Sequence, residues 1–259
     1  MPLAVNQLIG FGARQPSPGG GGGGGDPNFA NVVLLLGFEG TDGATTTTDE
    51  SPSAHSPITF NGNAQIDSAQ AKFGSSSCLF DGTGDYLSIP DSPDWDLSDA
   101  NSDQFTIEFW IRPHANVGNQ RIMAQAPSNG DVSWYINSTW EVGPASQVSF
   151  NSSYNGGLPP NVSVGNGGTV MALDFWHFIA ISKNSSGKLR LWCNGTLDGT
   201  STPADSTIFN STGALEIGRL LGGTANLNAW LDEIRITKGV CRYDTDGSIT
   251  VPTAAFPRS

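Results

Sequence analysis

The sequence is poor in charged residues, and in basic residues above all. Charged residues make up 14% of the 259-residue chain, and 12 Lys and Arg stand against 24 Asp and Glu, a net charge of −12. Proteins that bind nucleic acid present a cationic face that displaces counterions, and docking on an anionic membrane requires clustered basic residues. The composition therefore argues against both classes of function.

Long hydrophobic runs are absent as well. The longest apolar run, Val32–Leu36, is far shorter than the roughly 20 residues that a membrane-spanning helix needs. The first basic residue is Arg14, and the residues before it lack the continuous apolar core of a secretory signal. We therefore expect neither a transmembrane segment nor export by the standard route.

Cysteine is rare and follows no metal-binding pattern. Cys78, Cys193 and Cys241 lie far apart, with no CxxC or Cys/His spacing. We expect them to be small buried side chains with free thiols, since a disulfide between two of them would leave the third unpaired.

The first 30 residues differ from the rest of the chain. An apolar tip formed by Leu8, Ile9 and Phe11 precedes an unbroken glycine run, Gly19 to Gly25. Such a run has no side chains to bury and loses much conformational entropy on ordering. The sequence predicts an extended, flexible N-terminal anchoring arm (1–30) whose tip docks on a neighbouring subunit, followed by one domain (31–259). The alternative is a disordered leader.

The domain carries the signals of an all-β protein. Asn-Gly and Asp-Gly dipeptides, which favour tight turns, recur from residue 42 to residue 247, and no long stretch has helical periodicity. In Phe105 to Arg112, apolar residues alternate with a second set that contains Thr106 and Glu108. This pattern predicts a two-sheet antiparallel sandwich of the jelly-roll type.

The strand over 230–237 places a carboxylate among apolar neighbours. If Ile234 and Ile236 point inward, the alternation of a strand puts Asp232 on the same inward face, with Glu233 and Arg235 in solvent. A buried carboxylate needs compensation from hydrogen bonds, a cation or a metal.

A series of sequence blocks in a fixed order covers nearly all of residues 31–259 and resembles the concanavalin A-like, laminin-G-type jelly rolls, in the variety common in bacteriophage virion proteins. The main blocks are FDGTGDYLSIP at 80–90, WDL at 95–97, FTIEFWIRP at 105–113, WHFIA at 176–180, GKLRL at 187–191, LEIGR at 215–219 and WLDEIRITKG at 230–239. The resemblance implies two antiparallel sheets that pack face to face.

The resemblance also implies a structural Ca²⁺, which many members of this fold carry. Calcium requires hard oxygen ligands. Asp232 is the first candidate ligand, with Glu39, after the first strand, and Asp85, in the turn at 82–85. The alternative is that Asp232 accepts backbone N–H bonds and no metal binds.

The same fold hosts glycoside hydrolases, which use two carboxylates on either side of the scissile bond. In that branch the carboxylates lie on one strand in the string Glu-x-Asp-x-(x)-Glu. The string is missing here, and Glu108 is alone on its strand. We therefore expect no catalytic activity.

Aromatic residues suited to stacking on sugars are concentrated between residues 129 and 166. The candidates are Trp134, Tyr135, Trp140 and Tyr154. Trp134 and Tyr135 are adjacent on a strand, so one of them must face the core, whereas Trp140 and Tyr154 are expected at the surface. The alternative is that all four serve the core or subunit contacts.

These expectations combine into a non-enzymatic virion decoration or tail protein. It would be made in the host cytoplasm, bind other capsid or tail proteins through residues 1–30, and be displayed in multiple copies or as a homo-oligomer on the particle surface. Its jelly roll would contact host-surface glycans. The alternatives are a secreted carbohydrate-binding module and a hydrolase.

Overall fold

The computed structural model describes residues 25–115, 118–140, 146–165, 168–169, 171–219, 223 and 226–259, with the side chains of residues 118, 139, 140 and 146 left aside. Two antiparallel β-sheets form a sandwich, as the sequence predicts. The helical segments of the described chain are two short 3₁₀ helices, Phe29–Asn31 and Pro93–Trp95. No helix in these ranges has the length and apolar character needed to cross a membrane.

Fifteen strands follow one another in the described ranges. They are β1 (Val32–Leu36), β2 (Thr59–Asn61), β3 (Gln65–Asp67), β4 (Ser77–Asp81), β5 (Tyr86–Ile89), β6 (Phe105–Pro113), β7 (Gly118–Gln125), β8 (Val132–Trp140), β9 (Ser146–Gly156), β10 (Val162–Gly165), β11 (His177–Lys183), β12 (Leu189–Cys193), β13 (Thr196–Ser201), β14 (Leu215–Ile217) and β15 (Asn228–Lys238).

The strands divide into an eight-stranded sheet, here called sheet A, and a seven-stranded sheet, sheet B. Sheet A has the order β13-β12-β11-β6-β15-β4-β3, and β1 also pairs with β15. Sheet B has the order β10-β9-β8-β7-β14-β5-β2. Because β14 and β15 from the end of the chain lie in the middle of the two sheets, each sheet joins residues that are distant in sequence.

The inner faces of the two sheets form the main core. On β6, Phe105, Ile107, Phe109 and Ile111 are all fully buried there, so the predicted alternation of this strand is confirmed. From sheet B, Trp134 stacks on Phe150 with ring centroids 6.2 Å apart.

The outer face of sheet A is covered by a second apolar layer. Trp110, Phe178 and Trp192 project from β6, β11 and β12, and Phe256 from the C-terminal segment packs with them. Phe29 and residues 243, 249 and 251 are half-buried against the same cluster. Both sides of sheet A are therefore buried.

Strand β15 departs from the predicted alternation. Its pairing with β6 shifts between Asp232 and Arg235, and Glu233 has a φ of 50°. Such a bulge adds one residue, so Leu231 and Ile234 both reach the inner core, while Asp232 and Glu233 both lie on the outer face of sheet A.

Two predictions for β15 are therefore wrong. Asp232 does not face inward with Ile234, because the bulge reverses its side. Glu233 and Arg235 do not reach solvent, since their exposed fractions are 2% and 6%. The C-terminal segment covers them: Glu233 accepts hydrogen bonds from the Phe256 N–H at 2.6 Å and from Arg258.

The cysteines are free, as predicted. Cys78 and Cys193 are buried and Cys241 is half-buried. Burial raises the pKa of the Cys78 thiol well above its usual range and that of Cys193 to about 12, which keeps both thiols protonated.

The chain enters the domain along the covered side of sheet A. Asp26 is 9% exposed and its carboxylate is bound by Arg235 at 3.1 Å and by Arg242 at 2.7 Å. The Asp26 N–H donates to the carbonyl of Ser259 at 2.6 Å, so the two ends of the described chain meet. The part of the predicted arm at 25–30 thus lies against the domain, whereas Leu8, Ile9 and Phe11 fall outside the described residues.

Candidate functional site

The outer face of sheet B has a different character from that of sheet A. Its apolar cluster is small: Ala124, Ala126, Val132 and Tyr135, with Leu158 half-buried against them. The rest of the face is mainly polar, and it reaches solvent at both edges of the sheet, where Thr59 and Ser163 are exposed. This polar face is the candidate functional site.

The strand register brings residues from all seven strands into one row across this face. The row consists of Thr59, Ser88, Glu216, Ala124, Tyr135, Asn151 and Ser163. A neighbouring row on β7 to β9 consists of Arg121, Asn137 and Ser149. The site is therefore assembled from side chains that are far apart in sequence, from Thr59 to Glu216.

Alternation on β8 and β9 determines which side chains line the site. Trp134 and Ile136 fill the inner core, so Tyr135 and Asn137 project outward from the same strand. On β9, Phe150 occupies the core, which directs its neighbours Ser149 and Asn151 to the outer face.

Asn137, Ser149 and Asn151 form a hydrogen-bonded group that we call the Asn–Ser cluster. The Asn137 Oδ1 accepts hydrogen bonds from Ser149 Oγ at 2.8 Å and from Asn151 Nδ2 at 2.7 Å. The Asn151 amide also donates to Ser149 Oγ at 3.0 Å. The three side chains are 8%, 3% and 6% exposed, so most of their surface is covered. Their amide and hydroxyl groups both donate and accept, which is the chemistry that binds the hydroxyl groups of a ligand.

Tyr135 lies next to the cluster and is paired with a cation. The guanidinium of Arg121 lies 5.2 Å from the centroid of the Tyr135 ring, which is within the range of a cation–π interaction. Burial raises the pKa of the Tyr135 hydroxyl and lowers that of Arg121, but the guanidinium remains charged at any physiological pH. The site thus combines a neutral phenol with a permanent positive charge.

The β14–β5 side of the face holds a second aromatic–arginine pair. The guanidinium of Arg219 lies 3.2 Å from the centroid of the Tyr86 ring. Arg219 also forms an ion pair with Glu216 at 2.5 Å. This part of the face is therefore electrically neutral.

The four aromatic residues proposed from the sequence are dispersed. Trp134 is fully buried and donates its indole N–H to the Trp95 carbonyl at 3.2 Å, so it cannot stack on a ligand. Tyr135 lies in the site. Tyr154 is 46% exposed and lies in the part of β9 where the pairing with β8 shifts register. Trp140 ends β8, and its side chain lies outside the described residues.

Arg121, Asn137, Ser149 and Asn151 were not predicted from the sequence as binding residues. The signal in the sequence that could have identified them is the alternation of core and outward-facing residues on β8 and β9. Once Trp134 and Phe150 are assigned to the core, the polar residues between core positions on β8 and β9 must share the other face.

The proposed calcium ligands do not come together. Glu39 accepts hydrogen bonds from Ser75, and Asp85 from the N–H groups of Asn63 and Asp81. Within the described residues, no group of three His, Cys, Asp or Glu is placed to hold a metal ion. These carboxylates instead accept hydrogen bonds from backbone N–H groups in loops. As a set they do not fit a Ca²⁺ site.

Asp232 also serves the backbone. Its Oδ2 accepts the N–H groups of Lys72 at 2.8 Å and Phe73 at 3.1 Å, while its Oδ1 is buried without a hydrogen-bond partner. Burial raises the pKa of this carboxyl to about 7, because the two N–H bonds do not offset desolvation and the adjacent Glu233 charge. The geometry matches the alternative reading of the sequence, in which Asp232 bonds to backbone.

Glu108, the residue on which the hydrolase alternative depends, is fully buried on the covered side of sheet A. Its carboxylate is bound by Arg235 at 2.7 Å and by the Tyr243 hydroxyl at 2.6 Å. A carboxylate held in this way has a structural role, since it has no access to a substrate.

Comparison with known proteins agrees with this architecture. The sequence profile of the concanavalin A-like lectin/glucanase superfamily matches residues 81–242. Among curated proteins, no relative matches the sequence.

Solved structures with the same fold are mostly binding domains. Domain 4 of AbnA, an extracellular GH43 arabinanase from Geobacillus stearothermophilus, superposes with a TM-score of 0.59 at 16% identity, covering 82% of this chain and 94% of that domain. The receptor binding domain of botulinum neurotoxin type G has a TM-score of 0.56 at 14% identity, covering 80% of this chain and 47% of its own.

A third such structure is the binding domain of Paraclostridial Mosquitocidal Protein 1, with a TM-score of 0.58 at 16% identity, covering 83% of this chain and 50% of that one. This chain spans about half the length of the toxin binding domains that it matches. At these identities the structural similarity shows the fold alone. The profile match, which covers more than half of the chain, shows the family: the chain belongs to the concanavalin A-like lectin/glucanase superfamily.

Proposed function

We propose that this protein binds carbohydrate on the outer face of sheet B. The observation that carries the proposal is the Asn–Ser cluster beside Tyr135. Saccharide sites combine an aromatic or apolar surface for the sugar ring with a few fixed polar groups for its hydroxyls. Next to the cluster, Tyr135, Ala124 and Ala126 supply apolar surface, and they are 7%, 1% and 3% exposed.

Two of the structures with this fold support the proposal. The arabinanase domain was solved in complex with arabinotriose. A botulinum neurotoxin type C structure with a TM-score of 0.57 and 16% identity, covering 81% of this chain and 48% of its own, concerns cell entry that depends on two ganglioside molecules. The fold is therefore compatible with saccharide binding in other proteins.

We further propose that the protein binds carbohydrate without cleaving it. Glycoside hydrolysis uses a pair of carboxylates. Among the described strand residues of this face, Glu216 provides a single carboxylate, and Arg219 neutralises it.

Alanine substitution in the Asn–Ser cluster should weaken binding, and it should also lower the free energy of unfolding by about 1–3 kcal/mol, because it leaves buried hydrogen-bond partners unsatisfied. For Asn137→Ala and Asn151→Ala, we expect roughly a tenfold or greater loss of affinity for the polysaccharide that the protein retains, because each removes polar contacts to sugar hydroxyls. Affinity electrophoresis against a panel of polysaccharides, followed by calorimetry with oligosaccharides, provides the measurement. Thermal melts identify variants that fail to fold.

Tyr154→Ala is the matched control, because this exposed tyrosine lies on the same strand as Asn151, beyond the start of the register shift at residue 152. It should bind like the unmodified protein. If Tyr154→Ala loses binding while the cluster variants keep it, the binding site lies elsewhere. If no polysaccharide in the panel is retained, the proposed function is wrong.

The cellular setting proposed from the sequence is a virion, with the arm attached to other virion proteins. The structure supports the geometry of this proposal. The described chain begins at Gly25 on the covered side of sheet A, where Asp26 binds Arg235 and Arg242. An arm leaving from that side would keep the outer face of sheet B, on the far side of the sandwich, free for ligands.

Deletion of residues 1–24 is expected to remove the protein from particles without unfolding it. This deletion keeps Asp26 and its buried ion pairs with Arg235 and Arg242. A deletion of residues 1–30 would remove those ion pairs, so a loss of attachment could not be distinguished from a loss of folding. Mass spectrometry of purified particles measures incorporation, and a thermal melt of the truncated protein measures folding. A particle inventory that lacks the full-length chain would contradict the virion proposal.

A further inference from the structure

Arg121 differs from every other arginine in the described ranges. Six others form an ion pair with a carboxylate: Arg112, Arg190, Arg219, Arg235, Arg242 and Arg258. Among the described residues, Arg121 forms neither an ion pair nor a hydrogen bond from its side chain, and its Nε is buried without a partner. Its guanidinium lies 5.2 Å from the centroid of the Tyr135 ring.

Arg121 lies at the edge of the proposed binding site. Arg121 pairs with Asn137 across β7 and β8, so it borders the Asn–Ser cluster. It is half-buried, and burial lowers its pKa, with Tyr135 acting in the opposite direction. A buried polar or charged group without a partner is unfavourable and uncommon in native proteins.

The charges on the outer face of sheet B also favour an anionic ligand. The described strand residues that line it carry two charges, Arg121 and Glu216, and Glu216 is neutralised by Arg219, just beyond β14. The strand residues of this face, taken together with Arg219, therefore carry the net charge of one guanidinium, on a chain whose overall charge is −12. A single unpaired cation in an acidic protein is suited to one anionic group on a ligand.

We propose that the site binds an acidic saccharide, whose carboxylate is held by Arg121 while the sugar hydroxyls bind the Asn–Ser cluster. The inference rests on the proposed function and narrows its substrate class to sugars that carry a carboxylate. The planar guanidinium can form two parallel hydrogen bonds to a carboxylate. The neutral cluster and the apolar surface around Tyr135 select a sugar rather than a small free anion.

The test compares matched acidic and neutral ligands by calorimetry. The pairs are 3′-sialyllactose with lactose and trigalacturonate with galactotriose. We expect the acidic member of at least one pair to bind at least tenfold more tightly, and this preference to weaken as NaCl rises. Arg121→Gln should lower the affinity for the acidic ligand roughly tenfold to hundredfold. Its affinity for the neutral ligand should stay nearly the same. Arg121→Lys should restore part of the loss.

The outcomes separate the inference from the function on which it rests. Binding of neutral and acidic ligands with equal affinity, or an equal loss for both in Arg121→Gln, would overturn the acidic specificity and leave carbohydrate binding in place. If Asn137→Ala loses affinity for the acidic ligand but Arg121→Gln does not, the acidic specificity is likewise overturned and carbohydrate binding is left in place. Absence of binding to any saccharide would overturn both. A thermal melt of each variant excludes misfolding as the cause.

Discussion

Replacing Arg235 by alanine is expected to lower the free energy of unfolding by about 3–5 kcal/mol, the usual effect of removing one partner from a buried ion pair. Arg235 is 6% exposed and binds Glu108 at 2.7 Å and Asp26 at 3.1 Å. Its guanidinium also lies 3.9 Å from the ring centroid of Phe256. The substitution leaves two buried carboxylates without this cation and loosens the C-terminal cover of sheet A.

Chemical denaturation measures this effect, and Lys188→Ala provides the control. Lys188 forms an ion pair with Asp246 at 2.6 Å, but the Asp246 side chain is 56% exposed. Solvent screens such a pair, so its loss should be barely detectable. Equal effects of the two substitutions would show that the cluster around Arg235 does not stabilise the fold as described.

Replacing Asp232 by asparagine is expected to stabilise the protein at neutral and alkaline pH. Burial raises the pKa of the carboxyl from 3.8 to about 7. The folded state therefore binds a proton that the unfolded state has lost, and stability falls as pH rises between about 4 and 7. Each unit of pKa difference corresponds to about 1.4 kcal/mol, so the gain from asparagine at pH 8 should reach a few kcal/mol.

The comparison of pH 4 with pH 8 makes this prediction specific. Asparagine keeps an oxygen for the N–H groups of Lys72 and Phe73, and it removes the charge that faces Glu233. Denaturant curves should show little gain at pH 4 and the full gain at pH 8. Asp174→Asn, at a half-exposed side chain, should show no such pH-dependent gain.

The same variant decides the calcium prediction. If Asp232 ligated Ca²⁺, Asp232→Asn would destabilise the protein, and EDTA would lower the melting temperature of the unmodified chain. We expect EDTA to leave the melting temperature unchanged, because Asp232 and Glu39 accept hydrogen bonds from the loop at 72–75, while Asp85 binds the N–H groups of Asn63 and Asp81. A drop with EDTA that Ca²⁺ reverses would contradict this.

The parts of the fold that follow a simple strand period were predictable from the sequence. Phe105 and Ile107 alternate with Thr106 and Glu108, and the structure places the first pair in the core. The bulge at Asp232 and Glu233 was not predictable in this way, because an added residue leaves the sequence pattern of a strand intact while it reverses the side chains that follow.

The burial of strand residues by distant segments of the chain was equally unpredictable from the sequence. Glu108 and Arg235 look like surface residues of their strands until the C-terminal segment and Asp26 close over them. The site shows the same limit: Tyr135 was proposed from its type, but its proximity to Asn151 depends on strand register, which the sequence does not specify. Arg121 becomes informative only when the ion pairs of the other arginines are known.

The most direct test of the account is an NMR titration of the isotope-labelled protein with the oligosaccharide that it binds most tightly. If the outer face of sheet B is the binding site, amide shifts should concentrate on β7, β8 and β9, around Arg121, Asn137 and Asn151. Shifts confined to β11 to β13 and the C-terminal segment would place the ligand on the opposite side of the sandwich and contradict the assignment.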